Sequence, residues 1–229
     1  ALNPPYPAWS REVPRLTSSV LAAARTSGAT VMIPGNIYTF GPLRPGAPMP
    51  AVLHEDLPQT TLTRKGRLRV AMERAYAQAA DRGEACSIVL RAGDFIERAK
   101  SGNWFATQMT PNLGLGRFTY PGRRDVAHAW AYLPDLGRAM AALAARRETL
   151  PAYTALGYRG FTLTGAALAA HLEDIMGRRL RVGRTPWGAI SALAPVSPLF
   201  REVLEMRYLW DQAHELDGAA FAAALTVFK

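Results

Sequence analysis

The chain has 229 residues, 49% hydrophobic and 20% charged, the proportions of a globular protein and not of a disordered one. It carries 27 lysines and arginines against 18 acidic residues, a net charge of +9, but no run of five basic residues, which disfavours nucleic acid as a partner. A single cysteine excludes a disulfide framework and suits a reducing compartment such as the cytoplasm.

Nothing in the sequence reads as a signal peptide. The nearest approach to a membrane span, residues 187–200, is interrupted by Pro195 and Pro198. In chain order, Ala1-Leu2-Asn3-Pro4-Pro5 reads as a strand end running into a loop. A helix follows over residues 12–27, with Pro14 in its first turn, Gly28 beyond its end, and Leu16, Val20 and Ala23 or Ala24 on the buried side. Residues 29–33 form a buried strand stopped by Pro34-Gly35-Asn36. The connection over residues 39–60 holds Pro42, Pro45, Pro48, Pro50 and Pro58 and has the length of a functional lid.

Residues 66–82 repeat the helical period, with Leu68, Met72, Ala75, Tyr76 and Ala79 on one stripe and Gly83 at the left-handed cap. Cys86-Ser87-Ile88-Val89-Leu90 is a buried strand ending in Arg91-Ala92-Gly93-Asp94-Phe95. Residues 100–124 are weakly periodic and rich in glycine and aromatic residues. A helix over 133–147, a strand over 161–164, a helix over 165–176 ended by Gly177, an edge strand over 180–182 and an amphipathic helix over 199–210 complete the chain. Helix, glycine, strand and small polar tip occur twice in succession, which predicts right-handed crossovers and a parallel sheet with ligands at the strand tips.

Some residues stand out for chemistry. Asp94 at a buried strand end needs a partner, such as Arg91 or a ligand. Arg117, Arg123 and Arg124 bracket a loop that could grip an anionic substrate. His54, His128, His171 and His214 are far apart and pair with no cysteine, so no metal site is expected. No Gly-x-Ser-x-Gly elbow supports a serine hydrolase.

Four short motifs in order resemble the extended short-chain dehydrogenase/reductase family, the NAD(P)-dependent epimerases and dehydratases, over nearly the whole chain. Pro34-Gly35-Asn36-Ile37-Tyr38-Thr39 occupies the place of the family's serine-bearing turn and its Val-Tyr-Gly. Lys65-Gly66-Arg67-Leu68-Arg69 is similar to its Tyr-x-x-x-Lys. Arg91-Ala92-Gly93-Asp94-Phe95 resembles Arg-Pro-x-Asn-Val, and residues 130–139 resemble its aromatic-Val-His-Val-Asp-Asp-Leu-Ala-Arg-Ala.

The resemblance implies an α/β protein, a Rossmann-like parallel sheet with helices on both faces plus a small C-terminal α/β substrate lobe. Residues 1–100, with 125–147 returning, would form the cofactor domain; 101–124 and 148–229 would form the lobe. NAD or NADP would meet Leu2, Asn3, Pro34, Gly35, Asn36, Arg69, Ala92, Gly93 and Asp94. A small-molecule substrate would meet Tyr38, Trp104, Phe105, Phe118 and Arg124.

The departures fall on the catalytic positions. Pro34 stands at the serine, Lys65 at the tyrosine and Arg69 at the lysine. Lys65 could replace the tyrosine only as a neutral amine, which burial beside Arg64, Arg67 and Arg69 would favour. A register with Thr63 and Arg67 at those positions loses the match at Gly66. No Gly-rich turn joins a strand to a helix, as though the first βαβαβ portion and the N-terminal strands of the fold were missing. The sheet edge this would expose invites pairing with a second copy, as in a homodimer. Hydride transfer at a carbinol carbon is the implied reaction; a catalytically degenerate relative that binds a dinucleotide or a partner protein is the alternative.

Overall fold

The computed structural model describes residues 4–41, 47–98 and 102–226. Its elements in order are α1 (Trp9–Ser27), β1 (Val31–Asn36), β2 (Val52–Leu53), α2 (Arg64–Asp81), β3 (Ser87–Ala92), β4 (Asp94–Ile96), β5 (Arg117–Tyr120), β6 (Ala127–Tyr132) and α3 (Leu133–Ala145). Then come β7 (Tyr153–Gly157), β8 (Phe161–Thr164), α4 (Gly165–Met176), β9 (Arg181–Arg184), α5 (Trp187–Leu193), α6 (Pro198–Leu204), α7 (Tyr208–Asp211), β10 (Glu215–Leu216) and α8 (Ala219–Thr226).

A parallel sheet in the order β1-β3-β7 forms the first layer. All six residues of the central strand β3 are buried, as an uninterrupted aliphatic run requires. Its side chains alternate between two cores. Val89 packs with Ile33 against Trp9, Leu21, Met72 and Tyr76 of α1 and α2. Ile88 and Leu90 point the other way, to Leu136, Ala139 and Leu143 of α3, with Phe221 of α8 alongside. Helices on both faces of a parallel sheet are the α/β arrangement the repeated units predicted.

Several boundaries move. The first helix begins at Trp9, so Pro14 lies inside it, and its buried stripe is Trp9, Val13, Thr17, Leu21 and Ala24, one residue round from the expected one. Gly28 closes it at φ 68°, the left-handed region a residue without a Cβ enters without strain. Strand β1 runs on through Pro34 to Asn36, and Pro34 is tolerated because β1 is an edge strand among the described residues. Cys86 lies just before β3 and is exposed. The strand completing this sheet is β7, which weak periodicity hid; Leu2 and Asn3, expected at a neighbouring strand end, lie outside the described residues.

The segment read as a lid is tied down where it is described. β2 pairs with β10, the Gln212 side-chain oxygen accepts from the Met49 amide at 2.5 Å, and Glu55 accepts from the Gly157 amide at 2.6 Å. The expected helix over 199–210 breaks into α6 and α7. A second core holds Met109, Phe118, Tyr120, Trp130, Leu168, Trp187 and Trp210 beneath β4-β6-β8 and β5-β9. Among the described residues no helix is long and apolar enough to cross a membrane.

Candidate active site

The tips of β1 and β3 lie level, Gly35 beside Arg91 and Asn36 beside Ala92. Past them the backbone is crowded. A Cβ on Gly93 would overlap the Ala129 carbonyl and come within 2.8 Å of the Trp130 nitrogen, so only glycine lets β3 pass into β4 against β6. That passage sets Asp94 beside Trp130. On β1, the Asn36 side-chain oxygen accepts from the Tyr38 amide at 3.1 Å, and the buried turn Ile37–Phe40 carries the Tyr38 ring inward. The Tyr38 hydroxyl lies 3.1 Å from that of Tyr6.

Asp94 does not pair with Arg91. Arg91 turns the other way, 2.6 Å from Glu73 of α2, both side chains fully buried and Gln59 donating to the same carboxylate. The partner of Asp94 is His128, whose Nε2 lies 2.8 Å from Oδ2. A carboxylate only accepts, so this nitrogen donates. His128 stacks on Trp210 at 4.3 Å and 5° and meets His214 edge-on at 4.5 Å. Trp210 in turn lies 5.5 Å from Trp104. In this crevice at the strand tips Tyr6, Trp104 and Asp94 are partly open, and Trp210, His128 and Tyr38 are buried.

Burial governs the ionisation of this crevice. It pushes the Tyr38 phenol well above its usual range, and the Tyr6 phenol upward, with the charge of Asp94 adding to both. Both hydroxyls therefore hold their protons at neutral pH. Burial lowers Arg69, opposed by the facing phenols, and its guanidinium stacks 4.5 Å over the Trp9 ring. The Arg69 Nε, the Tyr120 and Tyr208 hydroxyls, His128 Nδ1 and His214 Nε2 are buried polar atoms with no partner among the described residues.

Lys65 is placed differently from the sequence expectation. Its side chain is 1% exposed, and in place of an arginine-rich surrounding it meets two carboxylates. The ammonium donates to Glu202, to the Glu202 carbonyl at 2.8 Å and to Glu205 at 2.9 Å, and sits 4.9 Å over the Tyr6 ring. Arg64 also pairs with Glu202, at 2.6 Å.

The expected residues thus divide. Tyr38 and Lys65 meet Tyr6 directly and Arg69 stacks on the adjoining Trp9; Asn36 caps the Tyr38 turn, Asp94 lies on His128, Trp104 lies by Trp210, and Gly35, Ala92 and Gly93 shape the strand tips. Phe118 is wholly buried in the second core, and Phe105 packs edge-on to Trp130. Arg124 lies elsewhere, in an open cleft of about 740 Å³ with Arg123, Arg184 and Arg207. Arg123 and Arg207 pair with Asp125 and Asp211; Trp210, whose carbonyl accepts from the Arg123 amide at 3.2 Å, stands between this cleft and the crevice. Tyr6, His128, Trp210 and His214 were not singled out for the site by the sequence. Only the tyrosine's place after a strand end could have suggested it. Among the described residues no group of three or more His, Cys, Asp or Glu side chains could hold a metal ion.

No protein-family profile and no curated protein sequence matches this chain. Solved structures do. MoeE5 in complex with UDP-glucose and NAD is similar with a TM-score of 0.71 at 16% identity, over 98% of this chain and 70% of that one. The GalE-like L-threonine dehydrogenase from Cupriavidus necator gives 0.67 at 21%, over 100% and 76%. DesIV, the dTDP-glucose 4,6-dehydratase from Streptomyces venezuelae with NAD and TYD bound, gives 0.64 at 15%, over 91% and 58%. The fold is that of the NAD-dependent epimerases and dehydratases. Within the epimerase/dehydratase fold the crevice between Tyr6, Asn36, Asp94 and Arg69 lies at the carboxyl tips of the parallel strands, where open α/β sheets bind their ligands.

Proposed function

We propose that the protein is an NAD(P)-dependent oxidoreductase or epimerase acting on a small, sugar-like carbinol or carbonyl compound. The observation that carries this reading is the linked phenol pair Tyr6–Tyr38, set between Asp94 and Arg69 at the tips of β1 and β3. The residues present suit the nicotinamide half of a dinucleotide. The buried Arg69 Nε has no partner among the described residues, so a ligand oxygen could satisfy it. Pro34, Gly35, Asn36 and Ala92 to Asp94 would line that half; Arg69 would hold a ribose or phosphate oxygen. When bound, the cofactor supplies hydride exchange with the substrate carbon.

The chain's own residues handle the proton and the orientation. The Tyr6 hydroxyl, at the rim, holds its proton and donates it to the substrate oxygen, backed by the Tyr38 hydroxyl 3.1 Å behind it. Lys65, the expected acid/base, serves instead as a fixed positive charge beneath the Tyr6 ring. Trp104 and Trp210 exclude water from one side. Arg124 and its cleft would meet a substrate only through an anionic tail long enough to pass Trp210.

Titration calorimetry of the full-length protein with NAD(H) and NADP(H) tests the binding; absence of heat at millimolar cofactor removes the proposal. Tyr6→Phe tests the chemistry, with turnover expected to fall by roughly 10²- to 10⁴-fold, the usual worth of a positioned proton donor. Binding without turnover on carbonyl and carbinol panels would support the second reading, a degenerate dinucleotide or partner binder. The engagement of Lys65 by two carboxylates favours that alternative.

A further inference from the structure

We infer that the outer face of β5 and β9, with the turn at residues 113–116 and the end of α4, docks the protein on an anionic lipid surface, its arginines on the headgroup phosphates and Leu115 and Ile175 among the acyl chains. The inference goes beyond the proposed function and uses none of the residues of the crevice.

The two faces of the β5–β9 pair differ sharply. Phe118 and Tyr120 are buried in the second core, so the alternation of a strand turns Arg117 and Thr119 outward. The parallel register sets Arg181 beside Arg117, and both residues are exposed. Like charges directly opposite one another in a sheet are destabilising. The ion pairs of this part of the chain engage Arg123, Arg179 and Arg207, and leave Arg117 and Arg181 without an acidic partner among the described residues. An anion lying across the two guanidinium groups removes that conflict.

Hydrogen bonds bring the end of α4 to the same corner. The Arg181 amide donates to the Gly116 carbonyl at 2.8 Å, and the Arg178 guanidinium donates to the carbonyls of Leu113 at 3.1 Å and Gly114 at 2.6 Å. Those carbonyls fix Arg178 in place and leave its charge uncancelled. Leu115 is the next residue of that turn and is 74% exposed; Ile175, one turn before Arg178 on α4, is 78% exposed. Glu173 is taken up by Arg179 and by the Leu180 amide, each at 2.9 Å, and Asp174 offsets one cation, so the corner stays positive.

Two protruding aliphatic side chains beside three arginines match one kind of surface best. A stable protein interface needs about 800 Å² per partner and aromatic or arginine anchors seated in pockets, which two isolated aliphatic tips do not supply. A nucleic acid offers phosphates but no apolar phase for Leu115 and Ile175. An anionic membrane offers both, phosphates at the level of the guanidinium groups and hydrocarbon just beyond them.

The test is co-sedimentation of the full-length protein with vesicles of phosphatidylcholine alone and of phosphatidylcholine with about 30% phosphatidylserine. The protein should pellet with the anionic vesicles at least roughly 10-fold better, and added salt should release it. Arg117→Gln with Arg181→Gln should weaken binding by roughly 30-fold, about fivefold for each arginine near an anionic leaflet. Leu115→Ser with Ile175→Ser should weaken it by roughly 10- to 100-fold, the worth of two partly inserted aliphatic groups. All four side chains are exposed, so both double variants should keep the wild-type urea midpoint. The inference is overturned by failure to pellet with anionic vesicles, by equal binding to both vesicles, or by undiminished binding in either double variant. Binding of duplex DNA without vesicle binding overturns it in favour of a nucleic acid. Cofactor titration is an independent measurement, so a failure of the oxidoreductase reading would leave this docking face standing, and the reverse.

Discussion

His214 lies under the floor of the crevice, with Nδ1 3.0 Å from the Gln212 carbonyl. That contact requires the proton on Nδ1 and leaves Nε2 as a buried lone pair facing no partner among the described residues. Burial first, and then the adjacent His128, lower its pKa to about 3. The folded protein therefore keeps this imidazole neutral, and the unfolded chain takes a proton near its ordinary value of about 6.5. Between those limits the unfolded state binds more protons, so stability is full above about pH 6.5 and is lost as pH falls towards about 3. The slope is about 1.4 kcal/mol per pH unit for one group. Urea midpoints measured at pH 7, 6, 5 and 4 should fall steadily, and His214→Gln should flatten the part of that fall due to this residue. A variant with the wild-type slope would show that another group carries the acid sensitivity. The neighbouring His128 was invisible as a site residue because its partners Asp94, Trp210 and His214 come from three other parts of the chain.

The start of α2 shows where local preference and tertiary fit disagree. Thr63 caps the helix by accepting from the Gly66 amide at 3.0 Å. Gly66 then passes so close to the Tyr38 turn that a Cβ would overlap the Tyr38 carbonyl and lie 2.6 Å from Thr61 Cγ2. Intrinsic helix propensity says that Gly66→Ala should stabilise by about 0.5–1 kcal/mol. Overpacking against backbone costs about 1–3 kcal/mol, and the carbonyl cannot swing away as a flexible side chain would. The expected net result is a lower urea midpoint for Gly66→Ala, together with a disturbed Tyr38; an increase in stability would mean that the turn and helix are further apart than described. The same comparison explains what the sequence revealed. Helix α2 and strand β3 were legible because a clear period ends in a glycine and is followed by an unbroken aliphatic run. Strand β6, Ala127-His128-Ala129-Trp130-Ala131-Tyr132, was not, since alanine is poor in strands and its fit comes from neighbours on both faces. The helix over 199–210 was read as continuous because apolar spacing persists through the Glu205-Met206-Arg207 turn, where only the backbone changes direction.

Over the whole molecule, Lys65 joins parts of the chain that sequence places far apart. It fixes the N-terminus of α2, which packs on the parallel sheet, to α6 and the residue after it, which belong with the second core. The short turn bearing Tyr6 lies beneath the same ammonium, so the link also sets the rim of the crevice. A buried cation with two carboxylates is costly to break on one side only, because the remaining charges stay out of water. Lys65→Met should cost about 3–5 kcal/mol in urea unfolding, and adding Glu202→Gln and Glu205→Gln should recover most of that loss. A purely chemical role predicts the opposite pattern: turnover lost in Lys65→Met with stability unchanged, and nothing regained in the triple variant. The triple variant also separates charge from shape. If it folds as well as the wild type yet loses turnover, the positive charge beneath Tyr6 acts on the reaction; if turnover returns with stability, Lys65 holds the two halves of the molecule together and the phenol needs no help from it.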